Sequence, residues 1–318
     1  MNQFISTFSA RRYKALMSHP DSAKLPLETI IADRYRVLRR LGRGGMGTVY
    51  EVEHIHVGCL FALKLMDKST SEVFKASLFH EAKLLGRLES EHVVKVIDCG
   101  RDPEHGSFLV VEKVNGGTLG ELLALHGRLD WERAVTITLS LCVAIADVHR
   151  AGVVHRDLKP HNIGLTDRQF AVKLFDFGIA SVVGERGSDA RPQGSGTVPY
   201  MAPELWMGAS ASAESDLFAV GVTLFEMLTG QRPFDGKTPP RCDEGELLEA
   251  FEELAPDAKI PGWLIQVVAR LLSRSPRNRF HGAAELAAAL RRSNAYVFRS
   301  TLGIDLEEQT VPRFALVT

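Results

Sequence analysis

The sequence predicts an α+β fold with two unequal lobes: a small five-stranded β lobe that carries one key helix, and a larger, mainly helical lobe. Three observations support this fold class. The chain has 318 residues, which fits about two domains of ~150 residues each. Short runs of β-branched, aromatic and alternating apolar residues dominate the first part of the chain. From Leu119 onward, apolar residues recur at helical spacing instead.

The first lobe contains five segments with the composition of β-strands, at residues 35–41, 48–52, 60–66, 93–97 and 108–111. Between the third and the fourth segment, residues 73–88 have the spacing of a helix. Its apolar stripe consists of Leu78, Ala82, Leu85 and Leu88. We therefore expect a sheet that carries one helix.

The second lobe contains five predicted helices, at residues 131–150, 216–228, 247–254, 264–272 and 283–290. Gly230 is a plausible stop for the second of them. We accordingly divide the chain into an N-terminal extension (1–32), a first lobe (33–114), a second lobe (115–292) and a C-terminal tail (293–318).

Composition argues against several classes of function. The formal net charge of −1 gives no overall attraction to nucleic acid or anionic membranes. The four cysteines form no C-x-x-C pair, which favours reduced thiols over disulfides or a zinc site. His54 and His56 are spaced like a pair of metal ligands, but no complete ligand set accompanies them.

We expect no secretory leader, and no apolar run reaches the ~20 residues of a membrane-spanning helix. We expect a cytoplasmic protein.

A glycine-rich turn separates the first two predicted strands. Gly42, Gly44 and Gly47 let the main chain approach phosphate oxygens closely, and the apolar Val49 follows them. The same glycines would suit a dinucleotide site, but a helix should then follow directly. Here the residues after the turn are β-branched and aromatic, so a strand follows and a nucleoside triphosphate site is favoured.

Further motifs follow in a fixed order. They are Lys64, Glu81, the H-R-D motif at 155–157, Asn162, the D-F-G motif at 176–178, the A-P-E motif at 202–204 and Asp216. In this order they resemble the protein-kinase family, and the sequence GRGGMGTVY at 42–50 is most similar to the eukaryotic-like Ser/Thr kinases of bacteria. The resemblance covers residues 34–292. It implies the bilobal protein-kinase fold, with an antiparallel sheet in the small lobe.

The resemblance implies a role for each motif residue in phosphoryl transfer from ATP. Lys64 would hold the α- and β-phosphates, oriented by Glu81; an exposed strand lysine is the alternative, and Glu72 is a rival partner. Asp157 would accept or orient the proton of the attacking hydroxyl. Lys159 would neutralise charge on the phosphoryl group and mark Ser/Thr specificity. The remaining expected site residues are Asn162 and Asp176 for Mg²⁺ (with Mn²⁺ as an alternative ion), Thr197 beside Asp157 and Lys159, and Leu41, Gly42, Gly44, Gly47, Val49, Ala62, Glu112 and Val114 for the nucleotide.

Other residues are expected to brace or regulate this site. By resemblance, Glu204 pairs with Arg279, and Asp216 holds the backbone of the catalytic loop. Arg156 can bind a phosphorylated activation segment because arginine pairs phosphate bidentately. Ser188 and Ser195 are the hypothesised autophosphorylation sites; serines of a polar loop are the alternative.

The favoured function is therefore an ATP-dependent protein serine/threonine kinase that phosphorylates Ser or Thr of protein substrates and itself, with a homodimer as the candidate arrangement for phosphorylation in trans. One alternative is a pseudokinase that acts as a binding or scaffold module, but Lys64, Asp157, Asn162 and Asp176 are all present. The other alternative is a small-molecule kinase on a related fold, which would usually lack the A-P-E motif. Three departures from the family pattern, Phe61, Thr118 and Gly164, do not threaten catalysis.

Overall fold

The computed structural model describes residues 25–44, 47–67, 72–166, 171–177, 198–240 and 244–301. Within them, the first part forms a six-stranded antiparallel sheet in the order β1-β2-β3-β4-β6-β5. Its strands are β1 (Ile30–Ile31), β2 (Tyr35–Gly44), β3 (Gly47–His54), β4 (Leu60–Met66), β5 (Val96–Asp102) and β6 (Gly106–Glu112). Helix α1 (Glu72–Leu85) lies between β4 and β5 in sequence.

Alternation along the strands divides the sheet into two faces. On one face, Tyr50, Leu63 and Val110 belong to a closed apolar cluster. On the other face, Met66 and Leu109 pack with Leu78 and Ala82 of α1. Lys64 lies two residues before Met66 on β4 and therefore shares the face that α1 covers. This position explains how a lysine can stand in an otherwise apolar strand.

The second part is mainly helical and has its own large core. Its helices are α2 (Leu119–His126), α3 (Trp131–Arg150), α4 (Pro203–Trp206), α5 (Ala213–Thr229), α6 (Glu244–Leu254), α7 (Gly262–Leu271) and α8 (Ala283–Thr301). Helix α5 is buried on nearly all sides, as expected for a helix that is apolar all round. Gly230 ends α5 with a left-handed φ of 78°, which confirms the predicted stop.

A two-stranded ribbon, β7 (Ile163–Leu165) and β8 (Val172–Leu174), lies between α3 and α4 in sequence, within the second part of the chain, and carries the predicted site. Strand β7 follows the catalytic-loop residues, and β8 leads directly into Asp176. Residues 92–94 pair with β8 through backbone hydrogen bonds. The ribbon therefore joins the predicted catalytic loop (residues 155–162), the D-F-G motif and the segment after α1.

Three predictions about elements need correction. The sheet has a sixth strand, β1, which lies within the predicted N-terminal extension 1–32. This strand has only two residues, too few to produce a recognisable alternation in the sequence. Strand β5 begins at Val96 rather than at residue 93, because the main chains of Val93 and Val94 pair with Leu174 of β8 instead of with β6. Helix α8 continues to Thr301, so the predicted tail begins inside a helix.

Candidate active site

The catalytic loop brings three of the predicted residues into direct contact. Nζ of Lys159 lies 2.8 Å from Oδ2 of Asp157 and 3.1 Å from Oδ1. Nδ2 of Asn162 donates to the same Oδ2 at 2.9 Å and to the main-chain oxygen of Asp157 at 2.8 Å. The Asp157 carboxylate is thus fixed from two sides, by the ammonium of Lys159 and by the amide of Asn162.

Asp216 holds the backbone of this loop from below, as the sequence predicted. Its side chain is only 2% exposed. Oδ2 accepts a hydrogen bond from the N–H of His155 at 2.8 Å, and Oδ1 accepts one from the N–H of Arg156 at 2.9 Å. Nε2 of His149, on α3, is 2.8 Å from Oδ2. Arg156 has a φ of 69°, a costly left-handed conformation for a residue with a side chain, and these bonds stabilise it.

Asp176 lies after β8, where its φ of 55° turns the chain. Nζ of Lys64 is 2.8 Å from its Oδ1. Burial is the largest single effect on Asp176 and opposes its ionisation, but the neighbouring positive groups, Lys64 foremost and Lys159 after it, together hold the pKa of the carboxyl below its ordinary value. Its main-chain oxygen accepts from Nδ2 of Asn162 at 3.4 Å. Lys64, Asp176, Asn162, Asp157 and Lys159 therefore form one connected polar cluster.

An aromatic contact packs beneath the cluster. The ring of His155 stacks on Phe177, with centroids 4.3 Å apart and planes 26° apart. Burial lowers the pKa of His155 despite the nearby carboxylates, so the imidazole is neutral at pH 7. His155 belongs to the H-R-D motif and Phe177 to the D-F-G motif, but only the three-dimensional structure shows that the two rings contact each other.

The residues predicted to bind nucleotide lie along β2, β3 and β4. Val49 stands opposite Gly42 on one side and Lys64 on the other. Ala62 is two residues before Lys64 and therefore lies on the same face of the sheet. Leu41 falls within the irregular pairing between Arg40 and Gly42, and Gly44 ends β2 opposite Gly47. A Cβ on Gly47 would lie 2.2 Å from the main-chain oxygen of Leu65, so this position requires glycine.

Val114, the last residue of the predicted first lobe, contacts the second lobe. It lies beside Gly164: a Cβ on that glycine would be 3.1 Å from Cγ1 of Val114 and 3.0 Å from the ring of Phe175. Phe175 thus fills the space that a larger residue at 164 would take, which accounts for that departure from the family pattern. Thr118 is used to cap α2: its Oγ1 accepts from the N–H of Glu121 at 3.0 Å.

The side chain of Glu112 makes contacts that sequence reasoning missed. Its Oε1 lies 2.6 Å from Nζ of Lys173 on β8 and accepts from the N–H of Lys95 at 2.9 Å. The N–H of Glu112 also donates to the main-chain oxygen of Lys95 at 2.9 Å, so both the carboxylate and the N–H of Glu112 are engaged within the protein. No spacing in the sequence links positions 112 and 173, so only the tertiary structure shows this pair.

The predicted pair of Glu204 and Arg279 is confirmed. The two guanidinium nitrogens lie 2.7 and 2.8 Å from the two carboxylate oxygens, the bidentate geometry typical of arginine. Arg279 is fully buried, and it also donates to the main-chain oxygens of Ser273, Glu214 and Arg274.

Several predicted residues lie outside the described part of the chain. They are Thr197, Gly178, Ser188 and Ser195. Glu81 lies on α1, but its side chain is not described, and the same holds for Glu72. Among the described residues, no group of three or more His, Cys, Asp or Glu side chains could hold a metal ion; His54 and His56 merely contact each other edge to face.

Comparison with known proteins decides the family. The model of the protein kinase domain matches residues 35–289. The chain belongs to this family. The kinase domain is 37% identical over 261 residues to serine/threonine-protein kinase PknD of Mycobacterium tuberculosis, which covers 80% of this chain and 39% of PknD. It is 34% identical over 276 residues to PknL of the same species, covering 83% of this chain and 67% of PknL.

Another relative is the probable serine/threonine-protein kinase PknB of Lactococcus lactis, 32% identical over 84% of this chain and 43% of that protein. The chain thus spans about two fifths of the length of PknD and of this PknB. Among solved structures, the M. tuberculosis PknI kinase domain superposes with a TM-score of 0.66 at 26% identity, covering 85% of this chain and 99% of that one. No described helix of the kinase domain combines the length and the apolar character needed to cross a membrane.

Proposed function

We propose that the chain is an ATP-dependent protein serine/threonine kinase and that the residues identified above carry the reaction. The observation that supports this most directly is the connected cluster of Lys64, Asp176, Asn162, Asp157 and Lys159. A pseudokinase would be expected to lack one of these groups. The named kinases among the relatives support the same reaction class.

In the proposed reaction, the oxygen of a protein Ser or Thr hydroxyl attacks the γ-phosphorus of ATP. The bond from that phosphorus to the bridging oxygen breaks, and ADP leaves with the electron pair. The hydroxyl proton passes to the carboxylate of Asp157, which Asn162 and Lys159 hold in place. Lys159 also lies where its charge can offset the negative charge that develops on the phosphoryl oxygens.

The residues fit a divalent ion of the Mg²⁺ type. The two N–H groups of the Asn162 amide point to three acceptors, the main-chain oxygen and Oδ2 of Asp157 and the main-chain oxygen of Asp176, and Oδ1 of Asp176 contacts Lys64. The amide oxygen of Asn162 and the second carboxylate oxygen of Asp176 receive no hydrogen bond from the described residues. Both are hard oxygen ligands, which Mg²⁺ and Mn²⁺ prefer. When bound, the ion would neutralise charge on the phosphates. The choice between the two ions belongs to the proposal.

Regulation and partners extend the proposal. Nε of Arg156 is buried without a hydrogen-bond partner among the described residues, which suits a phosphate on the activation segment as its ligand. Ser188 and Ser195 are the proposed phosphate carriers, and a homodimer would allow transfer in trans. The substrates would be proteins, not nucleic acids. The lobe limits 33–114 and 115–292, and a cytoplasmic location, remain predictions.

The direct test is transfer of radiolabelled γ-phosphate to casein and to the chain itself. Wild type should label both, whereas Asp157→Asn and Lys64→Met should label neither above background. Asp147→Asn is a matched control, because Asp147 also pairs with a nearby cation, Arg150 at 2.9 Å, and is about as exposed as Asp157. Equal labelling by all four proteins would refute the proposal. Chelation by EDTA should stop the reaction, and either Mg²⁺ or Mn²⁺ should restore it.

A further inference from the structure

The carboxylate of Glu112 joins three chain segments at the junction of the lobes. Glu112 ends β6 and begins residues 112–114, which by resemblance are expected to bind the base of the nucleotide and are called the base-binding segment below. Its Oε1 is 2.6 Å from Nζ of Lys173 and 2.9 Å from the N–H of Lys95. The side chain of Glu112 is 27% exposed and that of Lys173 is 17% exposed, so water screens this ion pair less than it would at the surface.

Each of the two partners lies on a segment tied to Asp176. Lys173 is on β8, three residues before Asp176. Lys95 follows residues 92–94, which pair with the same strand: the N–H of Leu174 donates to the oxygen of His92 at 2.8 Å, and the N–H of Val94 donates to the oxygen of Leu174 at 3.0 Å. The carboxylate of Glu112 therefore connects the base-binding segment to the strand that presents Asp176.

The next residue along the chain makes the opposite connection. Nζ of Lys113 lies 2.8 Å from Oε1 of Glu51 on β3, within the sheet lobe. Consecutive side chains thus bind two different parts of the protein, Lys113 the sheet and Glu112 the ribbon β7–β8. Of the two, only the contact of Glu112 bears on the distance between the base-binding segment and Asp176.

We propose that Glu112 and Lys173 are positioning residues for the nucleotide: their ion pair fixes the segment that binds the base relative to Asp176, which binds the phosphates through the metal ion. The inference rests on the proposed kinase function. When the pair is intact, both ends of the nucleotide site are held at the separation that ATP requires. When it is lost, binding of ATP has to impose that separation, which weakens binding more than it slows transfer.

The test is steady-state kinetics on Glu112→Gln, Lys173→Met and the double variant. The KM for ATP should rise roughly three- to tenfold in each single variant, while kcat stays within about twofold of wild type. The double variant should cost no more than the larger single effect, because both substitutions remove the same contact. Glutamine keeps the shape of the side chain, and if Glu112→Gln does not fold, Lys173→Met carries the same test.

Glu285→Gln is the matched control. Like Glu112, Glu285 forms one ion pair, with Arg270 at 2.7 Å, and accepts one hydrogen bond from a main-chain N–H, that of His281 at 2.8 Å. Glu285 is on α8 and Arg270 is on α7. The Glu285→Gln variant should leave the KM for ATP unchanged. If wild type transfers phosphate and Glu112→Gln raises the KM no more than Glu285→Gln does, the inference is overturned while the proposed function stands. A rise in kcat/KM for ATP in Glu112→Gln would also overturn the inference, because the intact ion pair would then hinder the binding of ATP rather than assist it. An inactive wild type would instead refute the proposed function.

Discussion

Nζ of Lys64 and Oδ1 of Asp176 lie 2.8 Å apart although 112 positions separate the two residues in the chain. One residue belongs to the sheet lobe and the other follows the ribbon β7–β8. The ion pair therefore joins the two halves of the site directly. It also contributes to the protonation state of Asp176: burial raises the pKa of the carboxyl, and Lys64 is the foremost of the neighbouring groups that together lower it below its ordinary value.

Replacing Lys64 by Met should raise the pKa of Asp176. The substitution removes the foremost of the groups that lower the pKa and leaves burial, which raises it. The ¹³C shift of the Asp176 carboxyl carbon, followed against pH, measures this directly. In wild type, the stability that the pair contributes is present above the ordinary pKa of 3.8 and is lost as pH falls through the lower folded-state pKa. The same titration midpoint in both proteins would contradict the prediction.

Asp216→Asn should destabilise the catalytic loop. An amide has one oxygen where the carboxylate has two, so at least one buried N–H, of His155 or Arg156, loses its acceptor. An orphaned buried donor costs about 1–3 kcal/mol. Urea unfolding should show a loss of this size, accompanied by a fall in kcat. Asp147→Asn is the control, because Asp147 is more exposed; an equal loss in that variant would argue against a special role for Asp216.

Arg279→Met should lower the free energy of unfolding by about 3–5 kcal/mol, because it leaves the carboxylate of Glu204 without its partner in a buried site. The comparison variant is Arg150→Met, whose arginine is 74% exposed and pairs with Asp147. Removal of an exposed pair costs about 0–1 kcal/mol. Denaturant unfolding of both variants measures the difference. Similar losses in the free energy of unfolding would show that the buried pair contributes no more stability than the exposed one.

Gly47→Ala should destabilise the sheet lobe, whereas Gly42→Ala should not. A Cβ at 47 would meet the main-chain oxygen of Leu65 at 2.2 Å, but a Cβ at 42 would meet nothing within 4 Å. Overpacking against a backbone atom costs about 1–3 kcal/mol. Melting temperatures of the two variants provide the measurement. Two equal melting temperatures would mean that β3 and β4 can separate at little cost.

Much of this architecture could be predicted from local sequence signals. Helix α3 coincides with the predicted range because Asp130 caps it and its apolar residues recur at helical spacing. The pairing of Glu204 with Arg279 followed from the family resemblance alone. The order of motifs likewise indicated which residues would gather around Asp157, although their spacing in the chain is irregular.

The predictions failed where long-range contacts decide the structure. Val93 and Val94 have strand composition, but their main chains pair with β8 rather than continuing β5. The pair of Glu112 and Lys173 joins positions 61 apart, and no local pattern reports such a contact. The left-handed φ of Asp176 was also unforeseen, because aspartate rarely adopts it unless the surrounding structure imposes it.

The short strand β1 has a practical consequence for anyone who prepares this protein. The family match begins at residue 35, and a version trimmed to that limit would lose Ile30–Ile31, which pair with Arg36 and Tyr35 of β2. It would also leave a hole in the apolar cluster where the fully buried Ile31 sits. The uncovered edge of β2 could then pair with the same edge of another molecule. Such a shortened protein should be prone to aggregate, and expression should therefore begin upstream of residue 25.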